Sequence, residues 1–291
     1  MSFEIITDSA SNLTDDLLEQ NNIQMISYSC LIDENEFLCH ETGRDHVQTG
    51  KHFYDLLRKG SNITTSLINK TRITEFFEPI LQKGKDILFT SISSGISGTF
   101  QEAKHAVQEL LKKYPERQCY AVDSLAASFG EGLMVLKLAE LRKKGFSIQE
   151  ARDWLEQSKL KMRQVFTVGD LHFLRRGGRL SGAAAFVGSL LNIKPLLKGN
   201  EEGQIVLNGK TRGMKKALDS LAKDLQEHIV SPETQTIAIA HCDCESDATY
   251  LADKIRSLVN VKDIIIRYYD LCTGAHVGPG TVALFYMGDH R

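Results

Sequence analysis

The stretch Ile87-Leu88-Phe89-Thr90-Ser91-Ile92-Ser93-Ser94-Gly95-Ile96-Ser97-Gly98-Thr99-Phe100 decides the fold class. Its first four residues form an apolar run of strand length, the middle is a loop of glycines and hydroxyls, and helical spacing runs from Thr99 to Lys113. The same strand-then-helix punctuation recurs on both sides. Upstream, Phe3 to Thr7 reads as a strand, Thr14 to Gln20 as a helix and Gln24 to Ile32 as a second strand, with an irregular excursion over residues 33 to 50. Helical spacing at Phe53, Leu56 and Leu57 ends at Gly60, and a second run through Phe76, Phe77, Ile80 and Leu81 ends at Gly84; both glycines suit C-terminal caps. Downstream come a strand, Cys119 to Val122, and helices near Ala126 to Lys144 and Ser147 to Met162. This alternation predicts an α/β fold: a parallel sheet covered by helices over residues 1–164.

The texture changes at Val165. A strand is followed by the basic glycine turn Arg175-Arg176-Gly177-Gly178-Arg179, a small-residue helix, and a hairpin turning at Gly199 to Gly203. Helices near Met214 to His228 and Asp247 to Leu258 alternate with strands Thr236 to Ala240, Ile264 to Tyr268 and Val282 to Tyr286. Residues 165–291 therefore read as a smaller α+β domain. A chain of 291 residues suits two domains.

With 35 lysines and arginines against 37 acids, the net charge of −2 gives no field for a polyanion, so nucleic acid is not an expected partner. Six scattered cysteines with no signal peptide before them read as reduced thiols of a cytoplasmic protein. The longest apolar stretches, such as Gly182 to Leu191, fall short of the roughly 20 residues that span a bilayer, so any membrane contact is peripheral.

In an open parallel sheet, ligands sit beyond the carboxyl ends of the strands. Three hydroxyl-rich segments fall there: Thr7-Asp8-Ser9, Ser91 to Thr99, and Asp123-Ser124. A fourth, Thr64-Thr65-Ser66, is read as preceding a helix. Each alone is an ordinary set of helix caps and turn formers; their convergence suggests an oxyanion site. The Ser91 to Thr99 loop lacks the phosphate-loop lysine and the Gly-x-Ser-x-Gly elbow, which argues against ATP binding and against a serine nucleophile. Thr273 to Gly280 reads as a glycine-flanked loop carrying His276. Of the basic turn, Arg179 is the inward candidate, and Arg212 reads as an exposed arginine at a helix start. His241-Cys242-Asp243-Cys244 lacks a matching second pair, and no metal and no cofactor are expected.

These segments, in this order, resemble the DegV family of bacterial fatty-acid-binding proteins. The likeness rests on Ile6-Thr7-Asp8-Ser9, Thr65-Ser66, Ile92 to Thr99, Val122-Asp123-Ser124, Leu174 to Arg179, Ile193-Lys194-Pro195 and Gly274 to Gly280, and spans almost the whole chain. It departs at Leu67-Ile68-Asn69, where a more polar, proline-containing stretch is expected. The resemblance implies a tunnel between and within the two domains holding one long-chain fatty acid. Thr65 and Ser94, with Ser93 alongside, would meet the carboxylate, and His276 and Arg179 would lie close by. It further implies a non-catalytic subunit that presents the carboxylate to a separate ATP-dependent fatty acid kinase, docking through Arg212, for conversion to acyl-phosphate and use in phospholipid metabolism. Residues 180–197 are read as either a membrane-contacting lid or a packing helix. The competing functions are a stand-alone hydrolase or acyltransferase, with Ser94 as nucleophile and His276 as base, and a lipid-responsive regulator.

Overall fold

Two strands buried at every residue, β1 (Glu4–Asp8) and β6 (Ile87–Ser91), form the centre of the first sheet, as a strand covered on both faces requires. The computed structural model describes residues 3–33, 35–181 and 192–291. With β2 (Ile23–Ile26) and β7 (Cys119–Asp123), these strands make an all-parallel sheet ordered β2-β1-β6-β7. The helices associated with it are α1 (Asp15–Asn21), α3 (Lys70–Gln82), α4 (Thr99–Lys113), α5 (Phe129–Lys143) and α6 (Ile148–Ser158). A small antiparallel sheet, β4-β3-β5, combines β3 (Ser29–Ile32), β4 (Asn35–Leu38) and β5 (Ile63–Ser66), with α2 (His46–Arg58) between the last two.

The remaining strands are β8 (Met162–Thr167), β9 (Ile193–Gly199), β10 (Ile205–Arg212), β11 (Thr236–His241), β12 (Asp263–Tyr268) and β13 (Val282–Met287). They form one sheet ordered β10-β9-β8-β13-β11-β12, antiparallel except for the β11/β12 pair. The period-two alternation of β13 serves two cores. Val282, Leu284 and Tyr286 pack with Leu218 and Leu221 of α8 (Met214–His228) and with Leu251 and Ile255 of α9 (Glu245–Leu258). Ala283 and Phe285 instead join an apolar cluster that continues into the parallel sheet through Phe129 of α5.

Several expectations are corrected. Gln24 to Ile32 is not one strand: it divides at Ser27-Tyr28 and feeds two sheets. There the Tyr28 N–H donates to Ser9 Oγ (2.9 Å) and the Ser27 hydroxyl accepts from the His40 N–H (2.9 Å). The excursion at 33 to 50 holds β4 and the start of α2, whose cap Asp45 accepts from Val47 N and Gln48 N. Thr64-Thr65-Ser66 lies in β5, with Thr65 opposite Cys30; the following helix starts only at Lys70, capped by Asn69. Thr273 to Val277 is helical, part of α10 (Leu271–Val277), capped by Asp270 and ended at Gly278 with φ +77°. The basic turn begins as a short helix, α7 (His172–Arg176). The proposed lid over 180–197 lies mostly outside the described residues; of its ends, Leu180 bridges to Ile205 and β9 begins at Ile193. Among the described residues no helix is long and apolar enough to cross a membrane, and the six cysteines are free.

Candidate functional site

Beyond the carboxyl ends of β6 and β7 lies a cavity of about 210 Å³. One wall is the loop after β6 (Ile92, Ile96, Ser97) with Ala126 and Ala127 after β7, and the facing wall is the inner side of the six-stranded sheet, through Phe166, Ile205 and Phe285. Its polar lining includes Tyr28, Thr65, Ser97, Gln164, Arg179 and His276. Thr65 Oγ1 lies 2.9 Å from His276 Nε2, joining β5 to the last turn of α10 across 211 positions of sequence.

The same pair lines a second recess of about 190 Å³, together with Arg176 and Arg179. Thr65 and His276 therefore stand between an apolar chamber and an arginine-flanked recess. Burial, reinforced by Arg179 and then Arg176, pushes the His276 pKa down to about 4, so the imidazole is neutral at physiological pH. Gly177 makes its position possible: a Cβ there would lie 2.4 Å from His276 Nδ1. Arg179 is half-buried and its Nε donates to Ile96 O (3.2 Å), with a further bond from its guanidinium to Gly177 O, whereas Arg175 and Arg176 are exposed.

The two serines of the loop go elsewhere. Ser93 is buried and its hydroxyl donates to Gly203 O at 2.7 Å, fastening the β9–β10 turn onto the loop. Ser94 is exposed and does not line the cavity; its N–H donates to Asp123 Oδ1 (3.1 Å). Ser97 does line it, within a hydroxyl group formed with Tyr28 and Thr99: Tyr28 Oη donates to Thr99 Oγ1 (2.6 Å) and lies 3.2 Å from Ser97 Oγ. Ser97 stood within the hydroxyl-rich loop, but nothing local in the sequence separated it from its neighbours. Tyr28 gave no sequence signal at all.

The other hydroxyl-rich segments are internal fastenings. Asp8 accepts from Ala10 N (3.0 Å) and Ile92 N (2.9 Å), Thr7 Oγ1 donates to Glu131 (2.6 Å), and Ser124 Oγ accepts from Ala126 N (3.0 Å). Leu67, where the expected motif is broken, lines the cavity while 46% exposed, which places it at the rim. Arg212 ends β10, exposed and away from the cavity lining. His241 is buried beside Tyr268, and Asp243 pairs with Arg58, so that segment serves packing.

The family model of the uncharacterised DegV-family proteins matches residues 2–289. The chain belongs to the DegV family. A DegV domain-containing protein of Clostridium perfringens is 42% identical over 289 residues, covering 99% of this chain and 98% of the relative. Among solved structures, DegV from Bacillus subtilis, described as a fatty acid binding protein, is 30% identical with a TM-score of 0.85, covering 99% of this chain and all of that one. A DegV family protein from Thermus thermophilus, described by its fatty acid binding, is 28% identical with the same TM-score and covers 99% and 100% of the two chains. The α/β architecture with its parallel sheet and further mixed sheet is thus the DegV fold.

Proposed function

We propose that this DegV protein binds one long-chain fatty acid with its tail in the apolar chamber and its carboxylate at the Thr65–His276 pair. The observation that carries the reading is that neutral hydrogen-bonding pair, shared by the lining of a largely apolar cavity and of an arginine-flanked recess. The fatty acids bound by the Bacillus subtilis and Thermus thermophilus relatives supply the ligand class. A tail of about 16 carbons at roughly 0.8 kcal/mol per methylene gives on the order of 12 kcal/mol gross, from which the cost of association is subtracted. The tail therefore dominates affinity and the head group fixes position.

Thr65 donates to the carboxylate while accepting from His276 Nε2–H, and Ser97 with Tyr28 offers further hydroxyls. Ser93 holds the hairpin and Ser94 is exposed, so neither takes the head-group role. Arg179, on the cavity lining, contributes positive potential, with its Nε and one terminal nitrogen donating to main-chain carbonyls. A carboxylate held by neutral donors keeps an oxygen available as a nucleophile. The protein thus serves as the presenting, non-catalytic subunit: a separate ATP-dependent kinase approaches through the outer recess, converts the acid to acyl-phosphate, and docks in part on Arg212. A stand-alone serine hydrolase would need Ser94 beside His276, whose partner is Thr65.

Organic extraction of the purified protein followed by mass spectrometry should release a long-chain fatty acid in about stoichiometric amount. In a reconstituted reaction with ATP and the kinase, Thr65→Ala should abolish acyl-phosphate formation while lowering tail affinity far less, and Arg212→Ala should slow formation with binding unchanged. Turnover by this chain without a kinase would refute the presenting role.

A further inference from the structure

Between the start of α1, the segment after β4 and the start of α2, three side chains from three separate elements converge. Asp15 opens α1, His40 follows β4, and His46 is the first residue of α2. Asp15 Oδ1 lies 3.2 Å from His40 Nε2, and Asp15 Oδ2 lies 4.0 Å from His46 Nε2. All three candidate donor atoms fall within 4.8 Å of one another. The two imidazoles stack with centroids 5.5 Å apart and planes at 21°, so both rings present the same edge to the carboxylate. His46 Nε2 is buried and has no hydrogen-bond partner among the described residues, which leaves a donor atom without work in the protein alone.

We propose that Asp15, His40 and His46 form a binding site for a zinc-class divalent cation. Two imidazoles and one carboxylate make a borderline donor set, suited to zinc rather than to magnesium or calcium, which take oxygens, or to copper(I), which takes thiolates. Tetrahedral zinc with ligand bonds of about 2.0 to 2.1 Å places its donors about 3.3 Å apart. The Asp15 Oδ1–His40 separation of 3.2 Å already matches this, and His46 Nε2, 4.0 Å from the other carboxylate oxygen, has to move inward. The carboxylate is held from behind, since its Oδ2 accepts from Gly43 N at 2.7 Å. The neighbouring cation, Arg44, is paired with Glu41 and also donates to Leu38 O (2.6 Å), so the pocket keeps the single negative charge of Asp15. Three protein ligands leave a fourth position for water.

Such an ion clips the segment after β4 and the start of α2 to α1. β4 pairs with β3, which pairs in turn with β5, the strand that carries Thr65, so the ion fixes the end of the small sheet's edge strand. The site stands independently of the proposed lipid function.

The test is calorimetric titration of zinc chloride into EDTA-treated full-length protein near neutral pH, paired with cobalt(II) absorption and thermal melts. One equivalent should bind, cobalt should give the visible bands of a tetrahedral site, and zinc should raise the melting temperature by mass action. His40→Gln with His46→Gln should weaken affinity by well over about tenfold, the least that loss of even an outer-sphere partner costs. If that pair fails to fold, Asp15→Asn, whose amide oxygen can still accept from Gly43, should give the same loss. His228, Asp289 and His290 form a second, more exposed cluster of the same composition near the chain terminus, and His290→Gln should leave binding unchanged. No uptake by the wild type, binding undiminished in the folded Asp15 or His40/His46 variants, or loss only in His290→Gln would overturn the proposal.

Discussion

At the scale of single residues, the least conspicuous member of the candidate site is Gly177. Its φ of −73° is open to any residue, so backbone freedom does not explain it; the reason is contact. A methyl group would stand 2.4 Å from His276 Nδ1 and 3.4 Å from two ring carbons, so the imidazole would have to move. Gly177→Ala should therefore leave the melting temperature within a few degrees of wild type yet weaken carboxylate-dependent binding. The readout is affinity for a fatty acid against the matching alcohol, and the acid should lose its advantage. The serines can be separated in the same assay. Ser97→Ala should reduce acid affinity by about 0.5 to 1.5 kcal/mol, the net worth of an ordinary hydrogen bond, and Ser94→Ala should not. Because burial and two arginines hold the His276 pKa near 4, its NMR titration should be flat from neutral pH down to about 5. A midpoint near 6.5 would show the ring to be solvated.

At the scale of elements, legibility followed from burial pattern. β1 and β6 are buried on both faces and read directly as strands, and α4 and α8 show apolar spacing on one face. α10 did not read as a helix because its glycines mimic a loop. Gly274 is needed for packing against α2: a Cβ would meet Tyr54 Oη at 2.2 Å, where that hydroxyl donates to Tyr269 O at 3.1 Å. Glycine lowers local helix propensity, and the tertiary contact with Tyr54 outweighs it. Gly274→Ala should thus destabilise by about 1 to 3 kcal/mol, the usual cost of overpacking, despite alanine being the better helix former. A denaturant melt more stable than wild type would contradict this packing. β5 was missed for a different reason: Ile63–Ser66 is short and hydroxyl-rich, and only its pairing with β3 makes it a strand. That pairing also brings Thr65 to His276, so the residue type was legible while its partner was not.

At the scale of the whole molecule, the cavity was invisible to local reading because Phe166, Ile205 and Phe285 come from a sheet whose strand order shuffles the chain. The same convergence gathers three buried carboxyls, Asp8, Glu131 and Asp270, behind the site. Burial raises all three pKa values, with Asp8 and Asp270 at about 7 and Glu131 pushed well above the carboxylate range, and the groups repel one another when charged. The folded state accordingly binds more protons than the unfolded chain between about pH 4 and 7. The stability these groups contribute is fully present below the unfolded pKa and is lost as pH rises through the folded one. Glu131 Oε1 accepts from Thr7 while Oε2 has no partner among the described residues, so glutamine reproduces the protonated acid closely. Glu131→Gln should remove part of this loss, and the variant should gain most over wild type above neutral pH. Urea melts from pH 5 to 9 measure it. A gain that shrank with rising pH would reverse the sign of the argument and place the carboxyls in contact with water.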